Sequence, residues 1–358
     1  MNSQEFFAKA EFSLQHQLPF VLYRKPITKN NSDFLIQGFF QKNDQLYFAE
    51  DYTESGFVMA PFDLNAQKSP LIPADKAEKI TINIPVAELI AEQKENTEIS
   101  NETAQKENHL HLVKKGIQNI KNKNLDKVVL SRKITKEISP DVLAIFKRLL
   151  ITYPTAFTYC WFHPKIGLWM GATPETLVKI HKEKLNTMAL ASTKPVEGDN
   201  LPKWTNKEIE EQQFVTDFIK ETLAENVNHL QIGKVENIKA GKLWHLKCDI
   251  TAEMKSVEKL KEILEDLHPT PAVCGMPKLA AKNFIIEEEN YDREFYTGFL
   301  GELNLEEKSE LFVNLRCMQI QQNSCEIYVG GGIVKDSIPE SEWQETVNKS
   351  RTMLDIIE

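Results

Sequence analysis

The chain has 358 residues, 41% hydrophobic and 27% charged, enough for one large domain or two ordinary ones with a sizeable core. Fifty-two acids against 43 bases give a net charge of -9, which argues against nucleic acid or an anionic membrane held by bulk electrostatics. An anionic small molecule would need a local basic pocket. The five cysteines (Cys160, Cys248, Cys274, Cys317 and Cys325) are scattered without a CxxC pair, so they read as reduced thiols rather than a disulfide framework or a zinc site. With no basic, apolar leader at the N-terminus and no apolar run of about 18 residues, the expected location is the cytoplasm.

Residues 1–90 alternate short apolar runs (FVLYR, FLIQGFF, LYFAE, ITINIP) with Asn, Asp, Gly and Pro, and read as a group of strands. The polar stretch 91–108 reads as a solvated connection, after which Leu110, Val113, Ile117 and Ile120 recur at helical spacing up to about Asn124. KVVLSRKI (127–134) predicts a strand and DVLAIFKRLLITY a helix, followed by a strand-rich block over 156–194. A long helix is expected from about Lys207 to Asn228, then strands around VENIKAGKLWHLKCDITAEM, a loop at LHPTPAVCGMPK and a helix at AAKNFIIEEE. FYTGFLGELN, LFVNLRCMQIQ and SCEIYVGGGIV predict strands. A closing helix carries SEWQET, with Ser337 and Glu340 spaced as a capping box. The fold class expected is α+β, with antiparallel strands interrupted by helices.

Two of these helices pair carboxylates on one face: Glu208 with Glu211, and Glu342 with Glu345, the second extended by Lys349. An all-oxygen set of this kind suits Mg²⁺ beside an anionic substrate group, although spacing alone is equally that of two solvated acidic faces. The glycines of YVGGGIV follow a strand signal and could offer backbone N–H groups to an anion, or form an ordinary turn. Lys335 stands where a dinucleotide fingerprint starting at Gly330 needs its third glycine. Arg316, alone among apolar strand residues, could clamp a carboxylate together with Lys349. Lys127 opens an apolar strand, where partial burial favours a neutral amine usable as a base; Glu175, after the GATP turn, could donate a proton if desolvated. Together these residues describe adding and removing oxygen groups on an anionic substrate.

The stretches KVVLSR, GATPETL, TMALASTKP, EEQQFVTDFI, LWHL, LHPTPAVCGMPKLAA, YDREFYTGFLGELN, LFVNLRCM, IYVGGGIV and EWQETVNKSRTML occur in the order found in chorismate-utilising enzymes. The chain resembles that family, and within it the isochorismate synthases of the menaquinone branch. The resemblance covers about residues 105–358 as the catalytic region; residues 1–104 match loosely and are expected to be a strand-rich part of the same fold. It implies two large antiparallel sheets as the core with helices outside, Mg²⁺ dependence, chorismate as substrate, no glutaminase partner and a monomer. It implies that Glu211 and Glu345 hold the metal, with Glu208 and Glu342 reaching it directly or through water. Arg316, Lys349, Tyr296 and backbone near Gly332 would hold the enolpyruvyl carboxylate. By the same resemblance Lys127 activates water for attack at ring C2 and Glu175 protonates the departing C4 hydroxyl. His245 lies beside the ring, and Thr193 and Gly275 are pocket positions.

Ammonia-using relatives carry glutamine where Lys127 stands, and aminodeoxychorismate synthases a nucleophilic lysine where this chain has Ala191. Salicylate synthases share the lysine and the acid and add pyruvate elimination; they and the siderophore-branch isochorismate synthases are the alternatives. ALAST resembles the menaquinone-branch ALAGT. Ser192, Gln212 and Cys248 depart from the family pattern.

Overall fold

The computed structural model describes residues 1–27, 33–89, 102–196, 201–240 and 243–357. Helix α1 (Ser3–Gln15) precedes six strands: β1 (Phe20–Arg24), β2 (Asp33–Gln41), β3 (Tyr47–Ala49), β4 (Gly56–Ala60), β5 (Ser69–Pro73) and β6 (Ala77–Pro85). Helix α2 (Glu102–Lys121), β7 (Lys127–Glu137) and α3 (Val142–Thr152) lead into β8 (Phe157–His163), β9 (Gly167–Thr173), β10 (Thr176–His181) and β11 (Lys184–Pro195). Next come α4 (Asn206–Leu223), β12 (Val227–Ala240), β13 (Leu243–Met254), α5 (Leu260–Leu267), β14 (Gly275–Met276) and α6 (Lys278–Glu288). The chain closes with β15 (Phe299–Leu305), β16 (Lys308–Val313), β17 (Cys317–Ile320), β18 (Ser324–Ile333) and α7 (Pro339–Ile357).

Two nine-stranded sheets result, in the orders β14-β7-β18-β17-β9-β8-β1-β2-β6 and β12-β13-β11-β10-β16-β15-β4-β5-β3. Neighbouring strands pair antiparallel throughout. This is the expected α+β architecture. Period-two alternation gives each sheet two faces, and here both are covered. Val21, Tyr23, Phe157, Trp161 and Trp169 of one sheet meet Phe57, Met59, Leu300 and Phe312 of the other between the sheets, where Phe157 stacks on Phe312 at 4.2 Å. On the outer face of the first sheet, α1, α3 and α7 bury Phe6, Phe146, Leu149 and Leu354. On that of the second, α4 and α5 bury Val215, Ile219, Ile263 and Leu264. A smaller cluster packs α2 and α6 on β7 through Val113, Ile117, Leu130 and Phe284. No helix among the described residues is long and apolar enough to cross a membrane.

Some local expectations change. The first residues are helical, not extended: Asn2 accepts the Glu5 N–H, Glu5 accepts the Asn2 N–H, and Phe6, Phe7 and Ala10 form the buried face. The helix expected to reach Asn228 ends at Leu223, because Val227 already pairs with Met254 in β12. Helix α5 sets Leu260, Ile263, Leu264 and Leu267 on one buried face in a stretch for which the sequence reading offered no element. The three glycines do not follow a strand as a turn; they lie inside β18, opposite Ser131, Leu130 and Val129 of β7. Helix α7 begins at Pro339, which suits a first position where no N–H is needed, while the Ser337 hydroxyl accepts the Val334 N–H at 3.0 Å. Of the polar connection expected over 91–108, residues 91–101 lie outside the described residues, and α2 already runs from Glu102.

Candidate active site

A cavity of about 150 Å³ lies where β18, β11, β13, α4 and α7 approach one another. Ten of the thirteen residues singled out from the sequence line it: Glu175, Thr193, Glu208, Glu211, His245, Tyr296, Arg316, Gly332, Glu345 and Lys349. The other three stand just behind the wall. Lys127 is 1% exposed and donates to Glu211 Oε1 at 2.9 Å. Glu342, 2% exposed, has a carboxylate oxygen 3.7 Å from the point where a Cβ on Gly331 would sit. Gly275 pairs with Val128 in the β14–β7 ladder, and at φ 140° a Cβ there would meet the Lys127 carbonyl oxygen at 2.2 Å. Gly275 therefore sets the strand that carries Lys127 without reaching the cavity.

The β18 edge explains why glycine is needed. Past Tyr328 the strand has no partner on the β17 side, so residues 330–332 present backbone to the cavity. A Cβ on Gly332 would lie 2.9 Å from Glu211 Oε1 and 3.1 Å from Lys127 Cε, and one on Gly330 3.0 Å from the Tyr296 hydroxyl. A side chain at either position would force these neighbours to shift.

Opposite, β11 bulges against β13 between Ala191 and Lys194, as strands often do beside functional sites. Ser192 sits there at φ 63°, and its hydroxyl reaches the Glu208 carbonyl at 2.7 Å and Glu211 Oε2 at 3.2 Å. The serine that departs from the family glycine thus ties the bulge to α4. Sequence reasoning gave Lys194 no role, yet it pairs with Glu208 at 3.1 Å. Nor did it find the apolar lining from Pro174, Leu190, Val273, Leu315 and Met353, which come from five separate segments without a shared period.

Charges are matched inside the site. Lys127 pairs with Glu211, Lys194 with Glu208, and Lys349 with Glu345 at 2.7 Å while also donating to the Gly330 carbonyl at 2.9 Å. Burial works to raise the Glu208 carboxyl, but hydrogen bonds from Thr205 and the charge of Lys194 hold it below the usual range. Glu175 is 4% exposed; burial pushes its carboxyl up to about 8 against the opposing pull of Lys127, Lys349 and Arg316. At neutral pH it is mostly an acid holding its proton. Burial, then Arg316 and Lys349, push His245 down to about 3. Its tautomer follows: Arg316 can only donate to Nε2, at 2.7 Å, so the proton is on Nδ1, which donates to the Ser192 carbonyl at 2.9 Å. The Arg316 guanidinium is itself lowered to about 10 by burial.

Among the described residues, no three Asp, Glu, His or Cys side chains are grouped as a metal centre. The donor chemistry nevertheless fits a hard divalent cation, because carboxylate oxygens of Glu211, Glu342 and Glu345 all lie within 3.7 Å of the Cβ positions of Gly331 or Gly332. Lysine ammonium groups neutralise Glu211 and Glu345 here.

The family model for chorismate binding enzymes matches residues 63–358. Isochorismate synthase EntC of Escherichia coli is 32% identical over 246 residues, 65% of this chain and 62% of that protein, so the match spans less than two thirds of the relative's length. The structure of the 2,3-dihydroxybenzoate-specific isochorismate synthase DhbC from Bacillus anthracis, described as putative, superposes with a TM-score of 0.79 at 24% identity, over 97% of this chain and 99% of that one. The menaquinone-specific isochorismate synthase MenF of Escherichia coli gives 0.78 at 22%, over 95% and 89%. These two structures share the fold. The chain belongs to the chorismate-binding enzymes.

Proposed function

We propose that the protein is an isochorismate synthase, isomerising chorismate to isochorismate. The observation that carries the reading is Glu175, a buried carboxyl that keeps its proton near neutral pH inside the cavity that also holds Arg316 and Lys349 and backs onto Lys127. In the reaction, Lys127 as the free amine takes a proton from water as its oxygen bonds to ring C2. The two ring double bonds shift, the C4–O bond breaks, and Glu175 gives its proton to the departing hydroxyl, which leaves as water. One water enters and one leaves. Lys127 gains the proton that Glu175 loses. Arg316 and Lys349 hold the enolpyruvyl carboxylate, with Tyr296 and the β18 backbone near Gly332 beside it. Neutral His245, fixed by Arg316 and Ser192, and Thr193 form the wall beside the ring. Glu211 and Glu345, with Glu208 and Glu342 behind them, are the residues that would hold Mg²⁺, which when bound offsets the charge of the ring carboxylate.

The menaquinone destination expected from ALAST gains no preference, since the menaquinone-specific and the 2,3-dihydroxybenzoate-specific folds superpose equally well. The proposal concerns the reaction and not its pathway. Incubation of the purified protein with chorismate and Mg²⁺, with and without chelator, tests it by chromatography of products. Isochorismate without pyruvate is the expected result; salicylate with pyruvate would reassign the protein to salicylate synthesis, and no turnover would overturn the reading.

A further inference from the structure

Ser192 holds a backbone conformation that its side chain disfavours. At φ 63° it lies in the left-handed region, which glycine enters freely and serine only at a cost. Such a residue persists where its surroundings fix it, and beside a cavity the strain points to a task. The surroundings here are specific. Strand alternation would send residues 192 and 193 to opposite faces of β11, but the bulge turns both into the cavity wall. The Ser192 hydroxyl, on a residue only 6% exposed, then shares its one proton between the Glu208 carbonyl at 2.7 Å and Glu211 Oε2 at 3.2 Å. Lys127 holds the other oxygen, Oε1, at 2.9 Å. The Glu211 carboxylate is therefore gripped from both sheets, by Lys127 of β7 in the first and Ser192 of β11 in the second.

We propose that Ser192 is a positioning residue for the divalent cation, its hydroxyl fixing the plane of the Glu211 carboxylate before the cation arrives. This rests on the assignment of Glu211 as a cation ligand made under the proposed function. The terminal torsion of a glutamate is broad, so a carboxylate held less firmly at Oε2 must be ordered when the cation binds, at an entropic cost to affinity. Groups that orient a ligand in this way are worth about 10- to 100-fold in metal affinity. A proton shared with the Glu208 carbonyl places Ser192 at the lower end of that range. The same residue reaches the substrate wall through its carbonyl, which accepts the His245 Nδ1–H at 2.9 Å and is retained in any side-chain variant.

Two variants separate the hydroxyl from the backbone: Ser192→Gly removes the hydroxyl and relieves the positive φ, whereas Ser192→Ala removes the hydroxyl and keeps the strain. Mn²⁺, a paramagnetic substitute for Mg²⁺, is titrated into the full chain without substrate, and the free ion is counted by electron paramagnetic resonance. Thermal melts accompany the titration. Both variants are expected to bind Mn²⁺ about tenfold more weakly than the parent. The Tm of Ser192→Gly should stay close to that of the parent, because relief of the backbone offsets the lost hydrogen bond. Parent-like affinity in Ser192→Gly would overturn the proposal. So would weakening in the glycine variant but not in Ser192→Ala, which would assign the effect to the backbone, or a Tm loss above about 10 °C in Ser192→Gly, which would make the serine a structural support. A parent that binds no Mn²⁺ would overturn this inference together with the Glu211 assignment. The isomerase reading is decided separately, by the products formed from chorismate.

Discussion

Lys127 Nζ lies 2.9 Å from Glu211 Oε1, so the proposed base and a proposed metal ligand form one ion pair. Base and ligand are therefore coupled by geometry, and substitution at either should be felt by both.

Lys127→Ala should lower kcat by about 10²–10⁴-fold, the usual contribution of a general base, while the protein stays folded, because Glu211 is partly exposed and keeps its Ser192 hydrogen bond. Steady-state kinetics with circular dichroism checks this. Turnover within a few-fold of the parent would remove the lysine from the mechanism.

Glu175 sets the pH dependence. Because its carboxyl must hold a proton and titrates at about 8, activity should fall as pH rises through that value, and Glu175→Gln should be nearly inactive. Stability has a defined sign too. The folded value is raised above the unfolded one, so the favourable contribution is complete below about 4.5 and is lost progressively up to about 8. The stability of Glu175→Gln relative to the parent, followed by thermal melts, should therefore climb between these limits by on the order of a few kcal/mol at most. A flat difference would mean that the carboxyl is not desolvated.

Arg316→Ala should raise the KM for chorismate about 10- to 100-fold, the scale of one charge-assisted contact, with a smaller effect on kcat. It should also release His245 from part of its downward shift, since Arg316 stands second only to burial among the causes. Imidazole NMR titration would show the pKa of His245 rising. An unmoved resonance would contradict the Arg316–His245 contact.

Glu211→Gln should raise the Mg²⁺ concentration needed for half-maximal activity by about 10- to 100-fold, and Glu345→Gln likewise. A metal requirement unchanged in both variants would exclude the two carboxylates as ligands.

Two glycines should fail in different ways. Gly275→Ala meets backbone at 2.2 Å with φ 140° and should destabilise the fold by about 3 kcal/mol or more. Gly332→Ala meets the ends of the Glu211 and Lys127 side chains, which can move, so the protein should fold with activity reduced at least about tenfold. Thermal melts and kinetics on both separate the two cases.

How much of this was readable beforehand depended on how local each signal is. The pairs Glu208 with Glu211 and Glu342 with Glu345 are properties of one helix each and were visible as spacing. That α4 and α7 converge on one strand of glycines is not, because the residues are brought together by pairings such as Gly332 with Val129, far apart in the chain. Lys127 could be placed on a strand, but its burial depends on β14 and β18 flanking it. Lys194 looked like any exposed lysine after a strand. Only the bulge at Ser192 and Thr193 brings it to Glu208. The helix at Ser3–Gln15 was missed for a different reason: its Asn2 and Glu5 cap was readable, but the strand-like runs that follow dominated the reading.

The order of strands has a consequence for synthesis. The strands of the first ninety residues pair with one another, β1 with β2 and β4 with β5, but their other edges are left open: Phe20 waits for Phe162, and Ala60 for Phe299. On a ribosome the β4 edge is therefore made long before the strand that covers it, and the second sheet cannot be completed until β15 and β16 have emerged. Such long-range pairings slow folding and leave hydrophobic edges exposed meanwhile. Nascent chains stalled before residue 299 should be bound by holding chaperones and cleaved readily by protease, whereas chains released after β18 should not.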